Sequence, residues 1–252
     1  MQCNRRGVKA LKKTVDHIVL KSISKKYGAF NALIDVNLAI RSGVSFALLG
    51  PNGSGKSTLL KGLVGSIPFN TGEIDVCGQN DVRCFSYKKN ISYMPQYPGF
   101  LPNLCAKDSI ELLVQLRGQN PIHKDQLIDE LGISHFWKKS FKELSGGMKQ
   151  KINILQCFMF ESKVIFLDEP TSSLDPHMAS YVKSLIRIRK EQGNIILFTS
   201  HIMSEVEEIA DRMALLSDGK ILLEVSPKEF IQQKGAKNLE EAMLDFWNNN
   251  KN

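Results

Sequence analysis

The chain has 252 residues, of which 42% are hydrophobic and 23% charged. This is an ordinary globular balance with room for one large domain or two small ones. No apolar run approaches the 18 or so residues that cross a bilayer, and the basic start lacks an apolar h-region, so neither a membrane span nor a secretory signal is expected. The expected place is the cytoplasm or the cytoplasmic face of a membrane.

The net charge of +7 is concentrated at the start: the first 26 residues hold eight of the 33 basic groups and one of the 26 acids. The arm over residues 1–15 reads as solvated chain, or as a weak attraction to anionic headgroups. The neutral remainder gives no footprint for a nucleic acid, and none is expected as a partner. Cys3, Cys77, Cys84, Cys105 and Cys157 are dispersed without a C-x-x-C pair, which fits reduced thiols; a metal on Cys77 and Cys84 stays open as an alternative.

In chain order, residues 18–23 and 33–40 have strand-like apolar content. In the second, Ile34, Val36, Leu38 and Ile40 alternate with Leu33, Asp35, Asn37 and Ala39. A buried strand over 44–49 ends at Gly50, and a helix follows over 56–64. Further strands are predicted at 73–76 and 91–94. Residues 100–160 turn rich in alanine, leucine and charge, with helices at 107–117, 125–131 and 146–160: a helical insertion. Strand and helix then alternate through 164–167, 176–191, 194–199, 203–210 and 212–217, the pattern of parallel strands with crossover helices. A last strand at 220–225 pairs with its predecessor through the turn Asp218-Gly219. Pro227 opens a short helix, and 238–247 a final amphipathic one.

Gly50-Pro51-Asn52-Gly53-Ser54-Gly55-Lys56-Ser57-Thr58 matches G-x-x-x-x-G-K-[ST] in full, between a buried strand and a helix. The glycines let backbone N–H groups turn toward phosphate oxygens, and the helix start adds partial positive charge. Lys56 is suited to neutralise β- and γ-phosphates. The Ser57 hydroxyl is a hard ligand for Mg²⁺. The apolar run Val164-Ile165-Phe166-Leu167 ends in Asp168-Glu169-Pro170. Ligands lie beyond the carboxyl ends of parallel strands, so Asp168 is expected beside the Mg²⁺ and Glu169 beside the attacking water. Leu144-Ser145-Gly146-Gly147-Met148-Lys149-Gln150 opens a helix with Ser145 as N-cap, and its paired glycines allow another backbone to approach.

In this order the three segments resemble the ABC-type ATPases, with Leu144 to Gln150 similar to that family's signature motif. The resemblance covers residues 16–225. It implies an α/β fold: a RecA-like P-loop NTPase core, an antiparallel β subdomain and an inserted helical subdomain. The implied division is an ATPase domain over 16–235, its helical part at about 100–160, then a C-terminal helix in 236–252.

The resemblance also implies ATP and Mg²⁺ as cofactors and a role for each matching residue. Tyr27 stacks on adenine. Gln96 senses Mg²⁺ and the attacking water. His201 contacts the γ-phosphate. Ser172-Ser173-Leu174-Asp175 crosses a dimer interface. Ser145, Gly146 and Gly147 serve the ATP held by Lys56 of a second copy, giving a homodimer of ATPase subunits with two composite sites. Met148 departs from the glutamine commonest at its position but leaves the serine and glycine donors in place. Taken singly, Tyr27 also reads as a core aromatic, Gln96 as plain loop and His201 as a neighbour of a helix cap.

Lys56 and Ser145 lie 89 residues apart, too close for a long coiled coil, and the chain holds one cassette. Both features favour the ATPase of a membrane transporter, a peripheral subunit bound to transmembrane permease subunits. A soluble ABC ATPase of cofactor or cluster assembly is the alternative. Ser145 to Lys151 and Leu239-Glu240-Glu241-Ala242-Met243 resemble the exporter branch with ABC-2-type permeases. Tyr93 to Gln96 and Thr199 to Ile202 are further similar to the ATPase of the copper-maturation system for nitrous oxide reductase. Pro98, Gly99, Phe100, Leu101 and Pro102 read either as a socket for a permease helix or as packing of the insertion on the core.

Overall fold

Apolar side chains at every position of a strand require cover on both faces. Three strands here meet that condition. β3 (Ser45–Leu49), β6 (Val164–Asp168) and β7 (Ile195–Thr199) are buried along their whole length. In the computed structural model, which describes residues 17–172 and 174–249, they form the middle of a six-stranded sheet. The basic arm, Cys3 and Ser173 lie outside the described residues.

β5 (Ile91–Met94) is one edge of that sheet, and β8 (Arg212–Ser217) and β9 (Lys220–Val225) complete it. The order is β5-β6-β7-β3-β8-β9. All neighbours run parallel except β8 and β9, which form the expected hairpin across Asp218-Gly219.

One face of the sheet carries Phe46, Leu48, Phe166, Leu197 and Leu216. Over it lie Leu59, Leu60 and Leu63 of α1 (Lys56–Leu63) and a second, three-stranded antiparallel sheet. That sheet has the order β2-β1-β4, with β1 (His17–Tyr27), β2 (Phe30–Arg41) and β4 (Thr71–Val76). β1 and β2 extend beyond the strands read from sequence because at their hairpin end Lys25 and Ala32 are buried while the aromatic Tyr27 and Phe30 are exposed, so the hydropathy pattern does not follow burial there. A short helix, α2 (Phe85–Lys89), has no counterpart among the predicted elements. It is held by the Cys84 sulfur, which accepts the Tyr87 N–H, and by the buried Tyr87 hydroxyl, which donates to the Leu63 carbonyl. The Cys84 thiol thus serves as a helix cap.

The other face carries Ala47, Leu49, Ile165, Leu167, Ile196, Phe198 and Leu215. It is covered by α5 (Gly146–Phe158), α6 (Pro176–Glu191), α7 (Met203–Ile209), α8 (Pro227–Lys234) and α9 (Leu239–Asn249). Before α5 the chain forms α3 (Ala106–Arg117), α4 (Lys124–Glu130) and the short turns Ile133–Phe136 and Phe141–Glu143. The two readings of residues 98–102 divide. Phe100 stacks on the buried Phe141 with ring centroids 4.1 Å apart, so this ring packs the insertion. Leu101 is 61% exposed and Tyr97 80% exposed.

A buried cation ties the insertion to α6. The Arg189 guanidinium donates to the Phe158 carbonyl at 2.7 Å and to Gln192, and lies 3.0 Å from His123 Nε2, just ahead of α4. Burial, then the Arg189 charge, holds the His123 ring below its ordinary pKa. The folded state therefore keeps this ring neutral while the unfolded chain protonates it. Its contribution is intact above the ordinary histidine value of about 6.5 and is lost progressively as pH falls from there through the lowered value of the folded ring. Stability of the chain between pH 7.5 and 5.5, followed by urea unfolding, should fall more steeply than that of His123→Gln, which keeps an acceptor for Arg189 without a titrating ring. Equal slopes would remove this tie as a pH-sensitive contact.

Candidate active site

The register of three neighbouring strands builds the site. Thr199 at the end of β7 pairs with Asp168 on β6 and with Leu48 on β3. The phosphate-loop sequence leaves β3 at the same level, beyond the carboxyl ends of the strands. Gly50 and Gly55 have φ of +147° and +110°. A Cβ at Gly50 would lie 2.0 Å from the Leu216 carbonyl oxygen, and one at Gly55 2.5 Å from that of Ala32. Only glycine fits where the loop is pressed this closely onto β8 and β2. Pro51, Asn52 and Gly53 are exposed at its tip, Ser54 is buried, and Ser57 and Thr58 are half-buried at the start of α1.

The Lys56 ammonium is buried and donates to the carbonyls of Gly50 at 2.7 Å and Pro51 at 3.0 Å. Burial pulls it below the ordinary lysine range, while the charges of Glu169 and Asp168 oppose that shift. Among the described residues no side chain caps α1, whose N-terminus is the end of a helix that favours an anion. Ser57 Oγ lies 3.3 Å from Asp168 Oδ1. Two hard oxygens beside a phosphate cradle fit Mg²⁺, which takes one or two protein oxygens and fills its octahedron with phosphate and water.

Glu169 is the convergence point. Its backbone has φ +50°, uncommon for a residue with a side chain. Two hydrogen bonds hold that conformation: the Glu169 N–H donates to Thr199 Oγ1 at 2.9 Å, and Ser172 Oγ donates to the Glu169 carbonyl at 2.9 Å. The carboxylate is then reached from two sides. Gln96 Nε2 donates to Oε2 at 2.8 Å, and His201 Nδ1 lies 3.3 Å from Oε1. Lys56, Ser57, Asp168, Glu169, Gln96 and His201 thus share one site with the phosphate loop.

Tyr27, Ser145, Gly146, Gly147 and Asp175 lie elsewhere on the chain. Tyr27 is 48% exposed, at the tip of the β1–β2 hairpin, with the Lys25 ammonium 5.1 Å from its ring centroid, so it is not a core aromatic. Ser145, Gly146 and Gly147 are exposed, and a Cβ at either glycine would meet nothing within 4 Å. The Ser145 hydroxyl accepts the Met148 N–H at 3.3 Å as N-cap of α5. Asp175 caps α6 through the Met178 N–H at 2.9 Å, and that bond holds its carboxyl below the usual range.

Sequence reasoning missed Thr199. Fully buried, it donates to Asp168 Oδ1 at 2.7 Å while accepting from the Glu169 N–H, so one hydroxyl orients both acids. The available signal was a lone polar residue closing an apolar strand. The near-isosteric Thr199→Val should fold but leave a buried N–H unpaired, a penalty of about 1–3 kcal/mol. We expect ATP turnover to fall about tenfold or more, by the same principle, with ATP affinity little changed. Wild-type turnover, measured by phosphate release, would show that the acids need no such support.

The family model for ABC transporter matches residues 33–172. A lantibiotic transport ATP-binding protein of Streptococcus pyogenes is 34% identical over 222 residues, covering 88% of this chain and 93% of that protein. The bacitracin transport ATP-binding protein of Bacillus licheniformis is 32% identical over 232 residues, covering 88% and 74%. A solved ATP-binding subunit of an ABC transporter superposes with a TM-score of 0.84 at 26% identity, over 92% of this chain and 99% of that one. These are transport proteins, which favours the transporter class over a soluble assembly factor. The chain belongs to the ABC transporter ATP-binding proteins and is an ATPase subunit of that family, with a P-loop NTPase core.

Proposed function

We propose that this chain works as a homodimer that closes on ATP and thereby drives an ABC-2-type permease in an exporter. The observation that carries the reading is the division of the site. The phosphate loop, both acids, Gln96 and His201 converge, while Ser145, Gly146 and Gly147 lie exposed at the start of α5. A second copy placed head-to-tail would bring its Ser145 to the nucleotide held here by Lys56.

In this reading the loop N–H groups and Lys56 bind the phosphates, and Tyr27 stacks on the base. Mg²⁺, when bound through Ser57, Asp168 and Gln96, supplies charge neutralisation at the transferring phosphoryl group. Glu169 accepts a proton from the attacking water, oriented by Gln96. His201, tethered to Glu169, faces the γ-phosphate. Asp175 and its loop lie along the dimer seam. The cargo is of the bacitracin or lantibiotic kind, which the two relatives' names support better than copper.

No helix among the described residues is long and apolar enough to cross a membrane. In the proposed reading the permease holds the subunit at the cytoplasmic face of the membrane. The exposed side chains of Tyr97 and Leu101, one and five residues after Gln96, form the proposed socket, while Phe100 packs on Phe141.

Glu169→Gln should keep ATP binding and lower turnover by about 10²–10⁴-fold, the usual worth of a positioned acid–base group. Retained turnover would assign the water to another residue. Leu101→Ser with Tyr97→Ser should leave hydrolysis by the subunit intact and weaken its recovery with permease from detergent-solubilised membranes. Unchanged recovery would move the socket elsewhere.

A further inference from the structure

A row of buried amides along α5 reaches the segment that carries Gln96. Asn153 is fully buried two turns into the helix. Its Nδ2 donates to the Pro95 carbonyl at 2.8 Å and to Gln150 Oε1 at 3.2 Å, and its Oδ1 accepts from Gln156 Nε2 at 2.7 Å. Pro95 directly precedes Gln96, and Gln96 donates to Glu169. A buried amide on a helix interior loses its water bonds on folding and is tolerated only when those bonds are replaced. Here the replacement is a loop carbonyl, one peptide from the residue that touches the catalytic carboxylate.

We propose that Asn153 is a positioning residue for Gln96. Its bond to the Pro95 carbonyl fixes the peptide from which the Gln96 side chain springs, and so sets the distance from Gln96 Nε2 to Glu169 Oε2. Because Ser145 caps α5, roughly 12 Å along the helix axis from Asn153, the same bond ties the water-orienting amide to the rigid element that carries the signature serine. The inference rests on the reading of Glu169 and Gln96 as the groups that act on water.

The test is a double-mutant cycle in the full chain, with Asn153→Ala, Gln96→Ala and the pair. Loss of one buried hydrogen bond should lower kcat about five- to tenfold, with ATP affinity in a fluorescent-nucleotide titration unchanged within about twofold. Amide hydrogens of Gln96, Tyr97 and Gly99 should exchange about tenfold faster as the loop loosens. In the Gln96→Ala background, Asn153→Ala should cost less than about twofold more, because nothing is left to position. Should the alanine variant fail to fold, Asn153→Leu fills the same space without a donor and is read the same way. Equal losses in both backgrounds, a loss confined to ATP affinity, or unchanged exchange at Gln96, Tyr97 and Gly99 would overturn the proposal. Glu169→Gln serves as the control: if that variant keeps turnover, the reading of the site fails. If it is inactive but Asn153 and Gln96 are uncoupled, only the present inference fails.

Discussion

The parallel register of β6, β7 and β3 is the constraint on which the site depends. It sets Thr199 level with Asp168 on one side and with the strand that feeds the phosphate loop on the other. Slipping β7 by one residue would turn its side chains to the opposite face and separate the hydroxyl from both acids. The register is protected by burial on both faces, since any slip would also place Leu197 and Phe198 in the wrong core. Chemistry at the strand ends and packing along the strands are thus one arrangement.

Glu169 shows what that rigidity makes possible. A non-glycine residue at φ +50° persists only where its surroundings over-determine it. Thr199 and Ser172 do so on the backbone, leaving the carboxylate open to Gln96 and His201. By contrast, Ser145, Gly146 and Gly147 are placed by a helix cap alone and face outward. In the proposed homodimer, one chain holds the reacting side of the site and offers its complement to another copy.

Much of this was legible in the sequence where the signal is local. The strand at 164–167 followed by two acids, the glycine-lysine-serine loop and the Ser145 cap each announce themselves within a few residues, because strand burial, loop conformation and helix capping are short-range requirements. The unread parts depend on partners far along the chain. Thr199 meets Glu169 across 30 positions, and Asn153 meets Pro95 across 58. Neither residue type is unusual where it stands. Phe100 belonged to a stretch that read equally well as socket or packing, and only the position of Phe141 decided it. α2 escaped because a five-residue helix has no periodicity to show.

The central claim is that Ser145 completes the ATP site of a second copy and not its own. Sedimentation of Glu169→Gln with and without Ser145→Arg, in the presence of ATP, tests this directly. The account predicts that Glu169→Gln alone sediments as a dimer, whereas the double variant remains monomeric while binding ATP as tightly as the single one. A double variant that still dimerises, or that loses ATP binding as a monomer, would contradict it.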